Sequence, residues 1–127
     1  MTSNFTLKLL QEKFAICKCD NKMPIPMWVL RSRDFYSITR TEDEMSIVSF
    51  EDSVPGDVEK NGNWRSFRVE GVLDFSQVGI ISSITGLLAE NEIPVFCMST
   101  YNTDYVFIKE ENLEKAVRVL STKFVVS

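Results

Sequence analysis

The stretch SFRVEGVLDFSQVGIISSITGLLAENEIPVF, residues 66–96, decides the fold. It opens with Phe67 and Val69 alternating with Ser66, Arg68 and Glu70, the period-two pattern of a half-buried strand. Gly71 to Asp74 breaks the pattern. From Gln77 to Asn91 the period changes. Val78, Ile81, Ile84 and Leu88 recur at steps of three and four, and Ile80 and Leu87 widen the stripe. That spacing predicts an amphipathic helix, with Asp74 or Ser76 available as its N-cap. Asn91 and Pro94 supply the stop.

Reading on toward the C-terminus, Val95–Ser99 is rich in strand formers, and Tyr101-Asn-Thr-Asp104 carries turn chemistry. Tyr105–Ile108 resumes as a strand, so the pair reads as a hairpin. Glu111–Ser121 is helical again, with Leu113, Ala116, Val117 and Leu120 on one face, and Phe124–Val126 closes the unit as a strand. The order β-α-β-β-α-β is the ferredoxin-like, split βαβ pattern, and the fold class is α+β.

Toward the N-terminus, residues 53–63 are rich in Gly, Pro, Asp and Asn and read as a linker or long loop. They divide the chain into a unit at 1–60 and one at 61–127. The first is less regular and strand-rich. Phe5, Leu7 and Leu9 alternate, and Phe14–Cys19 follows a short polar turn, suggesting a hairpin. Met23-Pro-Ile-Pro-Met-Trp28 is proline-broken and holds no long helix. Phe35–Thr39 and Met45–Ser49 read as two strands around the turn Arg40–Glu44, where Thr41 and Glu44 fit a capping box. No direct sequence repeat links the halves.

Composition narrows the function. At 127 residues, 44% hydrophobic and 25% charged, the chain has the make-up of a globular protein. It contains no apolar run near the roughly 20 residues of a membrane span. Met1–Leu10 lacks the pattern of an export signal, so the cytoplasm is the expected location. A net charge of −4 with scattered basic residues argues against a nucleic-acid partner. The ferredoxin-like order also serves RNA binding, but the basic-aromatic signature is missing, and Tyr101, Tyr105 and Phe107 read as core aromatics. Cys17, Cys19 and Cys97 are odd in number and read as buried thiols, not as a disulfide framework or metal site. With no histidine and no nucleophile elbow, phosphate loop or dinucleotide fingerprint, no catalytic residues, metal or cofactor are expected. Runs such as Glu42-Asp43-Glu44 are expected to be solvated surface.

One segment remains. Val78–Ile80 lies at a helix start, where unpaired amides and the positive end of the dipole suit a carboxylate. Gly79 either lets a ligand approach the backbone or permits tight helix–sheet packing. Asp104 is either a ligand for a cation or a turn residue capping its own backbone.

The chain resembles the ACT domain, a regulatory amino-acid-binding module of βαββαβ order. It also resembles the small tandem ACT-like proteins related to the cytosolic arginine sensors of the TOR pathway. The segments carrying the resemblance are Phe35–Val48, Gly71–Ile80 and Ser99–Tyr105. It implies two ACT-like units, the first reduced, with a ligand between one unit's helix-start loop and a strand of a neighbouring unit. The ligand carboxylate would meet the amides around Val78, Gly79 and Ile80, with Gln77 beside them in the binding set. Ser46 and Ile47 would line the facing strand, and Thr100, Tyr101 and Asp104 would approach the other end. Gln77 stands where some relatives that recognise a basic side chain have an acid, so a neutral amino acid fits as well as arginine. The resemblance implies a non-enzymatic amino-acid sensor, a homodimer signalling to a separate effector protein. The alternative is an ACT-like assembly module that senses nothing.

Overall fold

The computed structural model describes residues 5–71 and 78–127. The elements are β1 (Phe5–Leu9), β2 (Phe14–Cys19), α1 (Met27–Leu30), β3 (Tyr36–Arg40), β4 (Met45–Phe50), β5 (Lys60–Gly71), α2 (Ile80–Glu90), β6 (Val95–Ser99), β7 (Asp104–Lys109), α3 (Leu113–Leu120) and β8 (Val125–Val126). Single 3-10 turns at Glu51–Ser53 and Glu110–Asn112 lead out of β4 and β7. No helix among the described residues is long and apolar enough to cross a membrane.

The chain forms two compact units, one of residues 12–64 and the other of 1–11 with 65–127. The division does not fall in the Gly/Pro-rich stretch. Residues 60–63 already belong to β5, and the boundary lies inside that strand. The loop at 54–59 therefore joins two elements of one unit.

In the 65–127 unit the strands run β6-β7-β5-β1-β8. β1 lies antiparallel to β5, with Leu7 opposite Val69, and parallel to β8. Both edges of β1 are thus occupied, and the expected hairpin of β1 with β2 does not form among the described residues. Leu7, Phe67, Val69, Val106 and Ile108 alternate along their strands onto one sheet face. Ile84, Leu87 and Leu88 of α2 and Ala116 and Leu120 of α3 cover that face. Burying each of the large side chains stabilises the unit by roughly 1.5–3 kcal/mol. The helical stripe is shorter than its sequence suggests: Val78 precedes the helix and is 91% exposed. The expected caps Asp74 and Ser76 lie outside the described residues.

In the 12–64 unit the order is β3-β4-β2-β5. Ala15 and Cys17 of β2 and Met45 and Ile47 of β4 pack with Val29 of α1 and with Val54; Cys19, Trp28, Ile38 and Val58 fringe them. Cys17 and Cys19 thus share a face as packing thiols, whereas Cys97, expected to be buried, is exposed. The β3–β4 turn is closed by Thr41, whose hydroxyl accepts from the amides of Asp43 and Glu44 at 3.2 Å. The capping chemistry is present, but it closes a hairpin and starts no helix.

Candidate ligand-binding site

Gly79 is the residue on which α2 starts. Its φ of 82° lies in the left-handed region that favours glycine. Among the described residues a Cβ there would meet only the Ser82 hydroxyl at 3.9 Å, so packing against them is not the reason for the glycine. The backbone turn is. No side chain among the described residues caps the helix start. The Ser83 hydroxyl and amide both donate to the Gly79 carbonyl, at 2.6 and 2.9 Å, so the serines bond the carbonyl and leave the leading amides unengaged by them. Val78 and Gly79 are exposed, and a helix start carries leading amides that have no acceptor within the helix itself.

The β6–β7 hairpin turns at the same end of the unit. The Thr103 hydroxyl donates to the Val69 carbonyl, which holds the turn beside the end of β5. Thr100 and Thr103 close the turn through a 2.8 Å backbone bond and through the Thr100 hydroxyl, which accepts from the Thr103 amide at 3.3 Å. Thr100, not Asp104, therefore does the turn's capping. Asp104 opens β7 opposite Ser99, whose hydroxyl donates to its carboxylate at 2.5 Å. Tyr101 stands at the tip, 86% exposed. The Cys97 thiol, two rungs along, is pushed above its ordinary value by loss of hydration and then by the Asp104 charge.

The 65–127 unit thus brings Val78, Gly79, Ile80, Thr100, Tyr101 and Asp104 to one end of its fold. Gln77 lies outside the described residues. Ser46 and Ile47 belong to the 12–64 unit, where they cannot line one face together, because consecutive strand residues point to opposite sides. Ile47 is fully buried in its core, while Ser46 is half-buried and donates to Glu44 at 3.1 Å. The partner missed by the sequence reading is Ser99. The hairpin's four-residue turn sets it opposite Asp104, so the spacing alone held the signal. No cluster of metal-ligating side chains occurs among the described residues.

A βαββαβ unit with this helix start defines a regulatory-type α+β module, and the profile of the ACT domain family matches residues 59–122. The chain belongs to the ACT domain family. A second family profile, described as an N-terminal domain, matches residues 12–57. Subunit 1 of the cytosolic arginine sensor for mTORC1 from Homo sapiens and from Bos taurus is 33% identical over 61 residues, 47% of this chain. The match spans 18% of those relatives' length. A protein of Agobacterium tumefaciens with a known crystal structure is 31% identical, with a TM-score of 0.88 over 99% of this chain and 96% of its own. The ligand-free regulatory subunit of aspartate kinase from Thermus thermophilus shares the fold at 12% identity, with a TM-score of 0.66 over 96% of this chain and 98% of that one.

Proposed function

We propose that this chain is an amino-acid sensor, a non-enzymatic regulatory module of the cytoplasm. The observation that carries the reading is the glycine-led start of α2, with no side-chain cap among the described residues, at the same end of its unit as the Ser99–Asp104 pair. The ligand's carboxylate meets the amides at Val78, Gly79 and Ile80, and its ammonium or cationic side chain meets Asp104. Charge-assisted bonds at both ends suit a zwitterion better than a neutral metabolite. The relatives named as cytosolic arginine sensors support both the ligand class and the compartment. The output is a change in self-association of a homodimer, or in docking to a separate effector, by population shift.

A thermal-shift screen against the twenty free amino acids tests this. A ligand that binds only the native state at a hundredfold excess over Kd stabilises it by about 2.7 kcal/mol. One selective rise in melting temperature, lost in Asp104→Asn, supports the sensor and names the ligand class. A flat screen favours the assembly module instead.

A further inference from the structure

We propose that Ser99 makes Asp104 a one-oxygen acceptor, so that the cation taken there is an ammonium and not a guanidinium. The inference rests on the amino-acid reading above and decides between the cations which that reading leaves open. The Ser99 hydroxyl donates to Oδ1 of Asp104 at 2.5 Å, in the short range of bonds to a charged acceptor. One oxygen of the carboxylate is thereby engaged. Among the described residues no bond engages Oδ2, which is the oxygen left for a ligand.

The arrangement is held on every side. Ser99 and Asp104 stand directly opposite on the last rung of the β6–β7 hairpin, and a 2.8 Å backbone bond between Thr100 and Thr103 closes the turn between them. The Thr103 hydroxyl ties the same turn to the Val69 carbonyl. An aspartate has only χ1 and χ2 to fix, and a bond from a fixed neighbour to one oxygen restricts both. The charge is also unspent. The ion pairs among the described residues are Arg65–Glu110 and Arg68–Glu70, so no cation of the chain neutralises Asp104 there. Glu70, beside the tethered Val69, already has its cation.

The two kinds of cation ask different things of a carboxylate. A guanidinium is a rigid planar fork whose full strength needs both oxygens, in two parallel bonds. An ammonium is a compact point charge with rotatable donors, and one oxygen satisfies it. With Oδ1 held by Ser99, the fork loses half of its pairing and the ammonium loses nothing. Ser99 is therefore a positioning residue that sets specificity through Asp104.

Titration calorimetry of the whole chain with the twenty amino acids tests this, with citrulline as the uncharged counterpart of arginine. Arginine should bind within about threefold of citrulline, because its guanidinium gains nothing at Asp104. The best ligand should lose at least tenfold in affinity on N-acetylation, and a similar factor in Asp104→Asn. Ser99→Ala releases the second oxygen, so arginine should gain at least threefold on citrulline. Ser99→Thr keeps the hydroxyl and should keep the wild-type ratio. A defect of the fold weakens both ligands alike and does not raise that ratio. A wild type that prefers arginine to citrulline tenfold or more, or a Ser99→Ala variant in which arginine gains nothing, would overturn the proposal and leave the sensor standing. Binding of no amino acid at all would overturn the sensor and this inference with it.

Discussion

The Ser99 hydroxyl donates to the Asp104 carboxylate at 2.5 Å across the last rung of the β6–β7 hairpin, and the same carboxylate raises the Cys97 thiol. The sulfur therefore reports on the charge of the candidate site. Asp104→Asn removes one of the two influences holding the thiol up, and leaves the larger one, loss of hydration, in place. More Cys97 is then thiolate at pH 8, and alkylation by iodoacetamide, followed site by site in a mass spectrometer, should speed up at Cys97 and not at Cys19. An unchanged rate at Cys97 would separate Asp104 from the thiol electrostatically and remove the premise.

A second relationship sits in the 12–64 unit. The Glu51 carboxylate accepts the Asn63 amide at 2.6 Å, and a Cβ on Gly62 would strike the Glu51 Oε1. The obstructed atom is the end of a flexible side chain, so Gly62→Ala displaces it and costs about the one hydrogen bond, roughly 1 kcal/mol. Glu51→Ala should cost the same by losing the same bond. The double variant should then be no worse than either single one, a coupling that urea denaturation of the four proteins measures. Additive losses would mean that Gly62 serves something other than this carboxylate.

How much of this was legible is clearest from β1 and Gly79. The βαββαβ order could be read from residue 66 onward because each element carries its own period: Phe67 and Val69 at two, Ile84 and Leu88 at four. Where β1 pairs could not be read that way. Phe5, Leu7 and Leu9 announce a strand, but the partners that claim its two edges are 60 and more residues away, at Val69 and Val126. Local pattern carries no such long-range information, so the nearest strand, β2, looked like the partner. The stretch at 53–63 misled for a related reason. Asn61, Gly62 and Asn63 are turn-forming residues, yet a bulge in the β2–β5 ladder and the Glu51 contact accommodate them inside a strand. At the site, the helix start and Asp104 were recognisable as residue types. Ser99 was not, because a pairing partner is set by register.

Gly79 yields a prediction that separates backbone strain from packing. With φ at 82° and only Ser82 nearby among the described residues, any side chain suffers the left-handed conformation and meets little else of them. Gly79→Ala and Gly79→Leu should therefore cost similar amounts, about 1–2 kcal/mol, while Gly79→Asn, which tolerates this region, should cost less. A leucine variant far less stable than the alanine one would show that the helix start is crowded. Because both lose similar stability, a difference between them in ligand affinity would report contact at the site and not damage to the fold.

The last prediction concerns alkaline stability. Burial first, and then the neighbouring Cys19, push the Cys17 thiol from 9.0 to about 11, against a smaller lowering by Lys60. The folded chain thus prefers the neutral thiol more strongly than the unfolded chain does. For a group raised on folding, the stabilisation is whole below the unfolded value and is lost as pH climbs through the folded one. Between pH 9 and 11 the unfolded state sheds this proton while the folded state keeps it, so stability should fall by up to about 3 kcal/mol. Other groups titrate in the same window, and Cys17→Ala isolates the contribution. The variant starts lower, because its cavity removes packing in the core of the 12–64 unit. The gap between the two proteins should then narrow as pH rises from 9 to 11. Urea midpoints at half-unit intervals of pH measure that gap directly. A constant gap would mean that the thiol ionises as readily inside the fold as outside it, and that Cys17 is not the sealed packing residue described above.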